Sequence, residues 1–269
     1  MKPVCLPLWF LSVVCTWTSL PAQTARITTD VLGNSTQAIV VTTANWSTVQ
    51  GRLQKFERTD THSVWHAVGK PIEIVVGTNG LGWGIGVFPA HGAGVRAANG
   101  PVKKEGDGKS PAGVFTLGTA FGYAAQPLPG LKMPYLTLQP STECVDDPRS
   151  KNYNRIVDRN TVTPDWNSSE HMRAAGESYV WGAVVNHNGT VAEGNAAPVP
   201  GGGSCVFLHI WHSPQQGTAG CTAMREEDIE KLLVWLDPAR KPLLVQLPEP
   251  TLQRLAHRWG LTEFVSNLR

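Results

Sequence analysis

Along most of this chain the apolar positions alternate or gather in short runs, the pattern of strands. A helical period emerges only towards the carboxyl end. The first predicted strand is QAIVVTTANW at 37–46. Two shorter ones follow, around 53–56 and 64–68, with a polar turn at 59–61 between them. IEIVVG, opened by Pro71, reads as a separate buried strand, and further strands are predicted at 114–117, 134–139 and 179–187. Between 143 and 173 the pattern gives way to a polar, irregular stretch ending in SSEHMR. A structureless segment of that length in a compact domain is expected to be a lid or a binding loop.

The stretch 204–228, SCVFLHIWHSPQQGTAGCTAMREED, joins the two patterns. It opens as a strand through Val206, Phe207, Leu208 and Ile210, and ends at a helix whose Ile229, Leu232, Leu233 and Leu236 fall at i, i+3, i+4, i+7. Glu226, Glu227 and Asp228 occupy the first helical turn, where negative charge is favourable. A strand at 243–247 and a closing helix over 251–268 complete the chain. Together these elements predict a fold that is mostly β with a few helices, a sandwich or mixed sheet with one helix behind the focal loop and another at the carboxyl end. The glycines of GLGWGIG at 80–86 imitate a dinucleotide-binding spacing, but no helical pattern follows them, so they predict no such site.

The first 25 of the 269 residues read as a secretory signal: Lys2, an apolar run at 4–14, then small and turn residues through Ala25. That leaves 26–269 as a single expected domain of an exported protein, periplasmic, extracellular or in the cell wall. The apolar run is too short to span a bilayer, and no later segment is long enough, so no stable membrane insertion is expected. Val14 stands where a lipoprotein signal would carry a small residue before Cys15, which favours release over lipid anchoring. Of 23 basic and 21 acidic residues only Lys2 lies in the signal. The remainder is close to neutral without a basic run, which argues against nucleic acid as a partner.

Cys5 and Cys15 leave with the signal, so three of five cysteines stay: Cys144, Cys205 and Cys221. An odd count in an exported protein leaves one thiol over. If Cys221 is a nucleophile, Cys144 and Cys205 are the natural disulfide, closing a loop of about 60 residues worth roughly 2–4 kcal/mol. Three buried thiols, or a Cys205–Cys221 bond with no chemistry, are the alternatives.

Cys221 follows Gly220 and lies twelve positions after His209. A thiol at the mouth of a helix, with an imidazole on the strand leading into the same loop, forms a nucleophile and base pair. An imidazolium and a helix start would each favour the thiolate. The N–H groups of Gly220 and Cys221 are the expected oxyanion donors. Strand alternation puts Cys205, Phe207, His209 and Trp211 on one face and Leu208, Ile210 and His212 on the other, so His209 and His212 cannot share a metal. The chemistry expected is thiol acyl transfer.

Strand-His, short loop, Thr-Ala-Gly-Cys and helix, in that order, resemble the L,D-transpeptidase (YkuD-like) catalytic domain, whose signature is a His followed by Ser-x-Gly-Cys. GDGKSPAGVFTLG at 106–118 resembles the same family's Gly-Asp-x-x-(Thr/Ser)-Pro-x-Gly-x-(Tyr/Phe) segment. GLGWG, CVDDP, YN, SSEHM, GSCVFLHIW and TAGCTAM extend the resemblance to an exported bacterial subgroup over residues 46–248. The resemblance implies a cysteine enzyme acting on peptidoglycan stem peptides. Cys221 would attack the carbonyl at the L-centre of the third stem residue, commonly diaminopimelate, expelling D-Ala. An amine would then take the acyl group in a 3→3 cross-link. It also implies His209 as base, held by a backbone carbonyl, no need of a metal or organic cofactor, and carbapenem-type compounds as inhibitors.

The chain departs from that pattern around the thiol. Many relatives carry Arg two positions after the Cys; here Ala223 stands there, and Arg225 is the nearest substitute. Thr218 replaces the Ser, and Ala219 stands where many have His. Thr218, Ala219, Gly220 and Arg225 are therefore the candidates for oxyanion and substrate contacts. Ser169, Glu170, His171 and Arg173 are weaker candidates for the charged ends of a stem peptide, and Asp146 and Asp147 are expected to order a turn. The competing readings are an L,D-carboxypeptidase or wall amide hydrolase on the same Cys221–His209 pair, a zinc hydrolase using His187, His209 and Cys221, and a non-catalytic disulfide-stapled wall-binding module.

Overall fold

The structure, a computed structural model, describes residues 31–87, 100–189 and 197–268; the expected signal at 1–25 lies outside them. In chain order the strands are β1 (Gln37–Thr43), β2 (Gln50–Glu57), β3 (His66–Val75), β4 (Leu81–Trp83), β5 (Ser110–Gly122), β6 (Tyr135–Thr137), β7 (Thr142–Val145), β8 (Ile156–Asp158), β9 (Ser169–His171), β10 (Trp181–Val185), β11 (Phe207–Ile210) and β12 (Thr222–Met224). Helix α1 (Glu226–Trp235), strand β13 (Leu243–Pro248) and helices α2 (Glu249–Trp259) and α3 (Thr262–Asn267) follow.

β1 is a nearly continuous apolar run because both its edges are paired, to β2 antiparallel and to β13 parallel, and α2 covers it. From it the sheet runs β10-β11-β12-β3-β2-β1-β13-β5, and β10 pairs again with β5. The sheet is thereby closed into a barrel, with β4 and β6 added along β5. Closure leaves few free edges. Helix α1 lays Ile229, Leu232 and Leu233 against β10 and β11, the stripe its period predicts.

Four sequence expectations are corrected. The candidate at 64–68 and IEIVVG belong to one strand, β3. Pro71 cannot donate to a ladder, and a register shift between Leu53 and Lys55 of β2 absorbs it, with the Gln54 amide donating to the Val68 and Gly69 carbonyls. The stretch 143–173 is no structureless loop: β7, β8 and β9 form a second, three-stranded sheet. The closing helix is two, because Gly260, at φ 70°, ends α2 in the left-handed conformation that glycine adopts most readily. Finally, β12 stands between Cys221 and α1, so the thiol begins a strand and not a helix.

Buried apolar side chains form two clusters. The larger fills the barrel and the space under the helices; it takes Leu208 and Ile210 from β11. The smaller gathers Phe121, Cys144, Met172, Tyr179, Phe207 and Cys221 between the barrel wall and the second sheet. The alternation expected for β11 is what divides its residues between the two.

Candidate active site

β11 and β12 are parallel neighbours, so the chain must return from the end of one to the start of the other. The segment 211–220 makes that return and is tied to the turn after β3: Thr78 N–H donates to the Thr218 carbonyl (2.8 Å) and Thr218 N–H to the Val76 carbonyl (3.0 Å). Thr222 pairs with Leu208, which puts Cys221 beside Phe207. Its carbonyl accepts two hydroxyls, Ser110 Oγ–H and Thr218 Oγ1–H, each at 2.6 Å. Ser110 Oγ in turn accepts Gly77 N–H (2.8 Å). Gly77 must be glycine, since a Cβ there would stand 2.3 Å from the Gly108 carbonyl oxygen. The segment that resembles the family's glycine-rich motif thus fixes the backbone of Cys221 through Ser110.

Cys221 Sγ accepts Phe207 N–H (3.3 Å) and lies 3.5 Å from the Cys205 carbonyl. Cys205 holds φ at 53°, a conformation that a non-glycine residue keeps only where its surroundings over-determine it. Here they do. Its N–H donates to Asn154 Oδ1 (3.0 Å), and its sulfur is bonded to Cys144 of β7. Cys221 is the free cysteine among the described residues.

His209 Nδ1 lies 2.8 Å from the Ile210 carbonyl. A carbonyl can only accept, so Nδ1 carries the proton and Nε2 is left basic. The Tyr179 ring packs edge-on to both His209 (5.4 Å) and Phe207 (5.5 Å), and it lies in the same buried cluster as Cys221. Tyr179 therefore packs against the imidazole and shares a buried cluster with the thiol, and both groups are 7 % exposed.

Burial sets the electrostatics. It pushes the Cys221 thiol up to about 12, and the charge of Glu170 adds to the rise; Phe207 N–H, the Lys103 ammonium and Tyr179 oppose it. Burial also holds His209 down to about 4, against the Ile210 hydrogen bond, with His212 adding to the fall. The resting pair is a neutral thiol beside a neutral imidazole. The sequence argument for a resting thiolate is corrected on both counts: no helix start is present, and the imidazole is uncharged.

The other predicted residues separate. Thr218 uses its hydroxyl on backbone, donating to the Cys221 carbonyl and accepting Gly220 N–H (3.1 Å); Ala219 beside it is exposed. Arg225 caps α1 and pairs with Asp228 (2.9 Å). It stands four residues beyond Cys221, about 13 Å of extended chain. Ala223 is fully buried between His209 and Val75 in the ladder, so a guanidinium could not be held there uncompensated. Asp147 orders a turn, accepting the N–H groups of Arg149 and Asn167. His171 and Arg159 pair with Glu143 at the second sheet. His187 is not brought to the thiol: Nδ1 accepts Ile85 N–H (3.2 Å) and Nε2–H donates to the Gly202 carbonyl (3.0 Å). Both its nitrogens are engaged with backbone, which removes the third ligand of the zinc reading.

Sequence reasoning missed Tyr179 and underweighted Glu170. Tyr179 ends a short 3-10 turn with no apolar period, and Glu170 reaches the site only through β7–β9 pairing and the disulfide. With this geometry in place, the L,D-transpeptidase catalytic-domain profile (YkuD) matches residues 65–245. The chain belongs to that family. No curated protein and no solved structure matches it. Membership makes this L,D-transpeptidase family protein an enzyme of transpeptidase type, associated with peptidoglycan. The matched stretch spans β3 into β13, while β1 and β2, outside it, complete the barrel. Among the described residues no helix of the L,D-transpeptidase family member is long and apolar enough to cross a membrane.

Proposed function

We propose that the protein is a peptidoglycan L,D-transpeptidase in which Cys221 is the nucleophile and His209 the base. The observation that supports this reading is a free thiol seated on Phe207 N–H in the buried cluster that holds Tyr179, and, packed against the same Tyr179 ring, an imidazole whose Nδ1–H is committed to Ile210 and whose Nε2 is left to take a proton. Both groups rest neutral, so the proton moves as the bond forms. Sγ attacks the carbonyl at the L-centre of the third stem residue while the S–H proton passes to Nε2. The C–N bond to the terminal D-Ala then breaks, and the imidazolium returns that proton to the leaving amine. Cys221 N–H, with Gly220 N–H once it turns from Thr218, stabilises the oxyanion. A stem amine attacks the thioester, gives its proton to His209 and releases the thiol.

The residues after the signal form one catalytic domain acting outside the cytoplasmic membrane. The Cys144–Cys205 bond supports an oxidising compartment. Carbapenem-type acylating agents are expected to label the same thiol.

The test is mass spectrometry of purified tetrapeptide muropeptides incubated with the mature protein, beside a Cys221→Ala control. Cross-linked dimers that vanish in the control are the expected result. Tripeptide alone would make the enzyme a carboxypeptidase, and a control equal to wild type would remove Cys221 from the chemistry.

A further inference from the structure

The second sheet brings a carboxylate to the site by a route the reaction above does not use. β9 pairs with β7 so that Glu170 stands opposite Cys144, and Cys144 is bonded to Cys205, whose carbonyl lies 3.5 Å from Cys221 Sγ. Tyr179 O–H donates to Glu170 Oε1 at 2.6 Å, and the Tyr179 side chain lies in the same buried cluster as Cys221. Glu170 is thus tied to the surroundings of the nucleophile through both the disulfide and Tyr179, and it is half-buried, so a ligand can reach it.

Its neighbours are charge-matched and it is not. Glu143 pairs with Arg159 (2.8 Å) and His171 (3.3 Å), and Asp147 with Arg149 (3.2 Å). Among the described residues no lysine or arginine lies within ion-pair distance of Glu170, and the polar partner of the Asp146 carboxylate is the Ser168 hydroxyl. A half-buried carboxylate held by a neutral phenol, with a second carboxylate near it, is an arrangement that a cation stabilises.

We infer that Glu170, with Asp146 beside it, receives a primary ammonium group of the substrate next to the Cys221 thiol. An ammonium offers three donors and the missing charge. The inference rests on the transpeptidase reading, in which both donor and acceptor stems carry such a group on the diamino residue. It also gives substrate binding a consequence at sulfur. Burial and then Asp146 raise the Glu170 carboxyl, with Tyr179 opposing, and after burial the Glu170 charge is the larger influence holding the thiol protonated. An ammonium at Glu170 offsets that charge and eases loss of the S–H proton.

The experiment uses two tetrapeptide donors identical except that the side-chain amine of the third residue is free or acetylated. Single-turnover thioester formation, read by intact-protein mass, reports an ammonium on the donor. Partition of the preformed acyl-enzyme between an amine acceptor and water reports one on the acceptor. Wild type is expected to favour the ammonium by about 10–100-fold in one of these arms. Glu170→Gln is expected to bring that ratio towards one. Asp146→Asn, which leaves the Glu170–Tyr179 hydrogen bond in place, is expected to lower the same ratio by a smaller factor. A parallel loss on both donors with both ratios unchanged in each variant would make Glu170 structural and overturn the inference alone. Failure of wild type to form any Cys221-dependent thioester would overturn the transpeptidase reading as well.

Discussion

His187 and His209 lie in this barrel with similar burial, and burial holds both down to about 4. Their ring nitrogens tell them apart. His187 follows β10 as a spacer between backbone segments, with one nitrogen accepting Ile85 N–H and the other donating to the Gly202 carbonyl. His209 spends Nδ1–H on Ile210, and its Nε2 makes no hydrogen bond among the described residues. A displaced titration reports the burial that both share. An unspent lone pair is what the proposed base requires, and of these two rings His209 has it.

The strongest way to break this comparison is to replace each ring in turn. His209→Gln is expected to cut turnover on tetrapeptide donors by about 10²–10⁴-fold with little change in Tm. His187→Gln is expected to keep turnover per folded molecule within about threefold of wild type, while losing about 1–3 kcal/mol of stability as buried backbone partners go unmatched. The reverse outcome, an active His209 variant and a stable but inactive His187 variant, would assign the roles the other way round.

Titration tests what the two rings have in common. Each has an ordinary value of 6.5 and a folded value of about 4, so below about pH 6.5 the unfolded chain binds protons that the native state refuses. Their contribution to stability is present above that pH and is lost progressively as pH falls towards 4. Denaturant unfolding between pH 6.5 and 4 should therefore show a steeper loss in wild type than in His187→Gln, by up to roughly 3 kcal/mol across the window. Equal slopes would mean that His187 charges freely in the folded protein. The neutral resting pair also predicts that alkylation of Cys221 by iodoacetamide shows no inflection at about pH 6–7. An inflection there would reveal a thiolate–imidazolium pair.

Below the histidines in effect comes the hydroxyl that holds the Cys221 carbonyl. Ser110 Oγ is one of two donors to that carbonyl and the acceptor of Gly77 N–H. Ser110→Ala removes the first and strands the second, at an expected cost of about 1–2 kcal/mol and about tenfold in turnover. An unchanged Tm and turnover would show that Thr218 alone positions the backbone of Cys221.

How much of this was legible in sequence follows from which contacts are local. The alternation along β11 and the period of α1 are short-range properties, and the structure places Leu208, Ile210 and Ile229 in the main core accordingly. The order of His209, Gly220 and Cys221 could be read because one loop joins them. β12 was missed because three buried residues show no period. The second sheet was missed because its strands are three to four residues long and Glu143, Asp158 and Glu170 interrupt any apolar run. Tyr179 and Glu170 come into the surroundings of the thiol only through pairings that no local pattern encodes. The disulfide followed from counting thiols, but its meaning, a clamp holding the second sheet against Cys205, required the fold.

The smallest expected effect sharpens the comparison from outside the buried cluster. Arg225 is the nearest substitute in sequence for a cation two positions after Cys221, yet β12 carries it to the start of α1, where its exposed guanidinium pairs with the largely buried Asp228 at i to i+3. With its cation in solvent, such a pair is worth about 0–1 kcal/mol. Arg225→Ala should therefore leave turnover within about twofold and Tm almost unchanged, because about 13 Å of extended strand separates it from Cys221. A rise in KM of tenfold or more without loss of kcat would mean that bound substrate extends along β12 to the start of α1. Substrate would then be gripped on both sides of the thiol, by Glu170 on the second sheet and by Arg225 on the barrel. The expected absence of effect leaves Glu170 and Lys103 as the charges that act on the thiol.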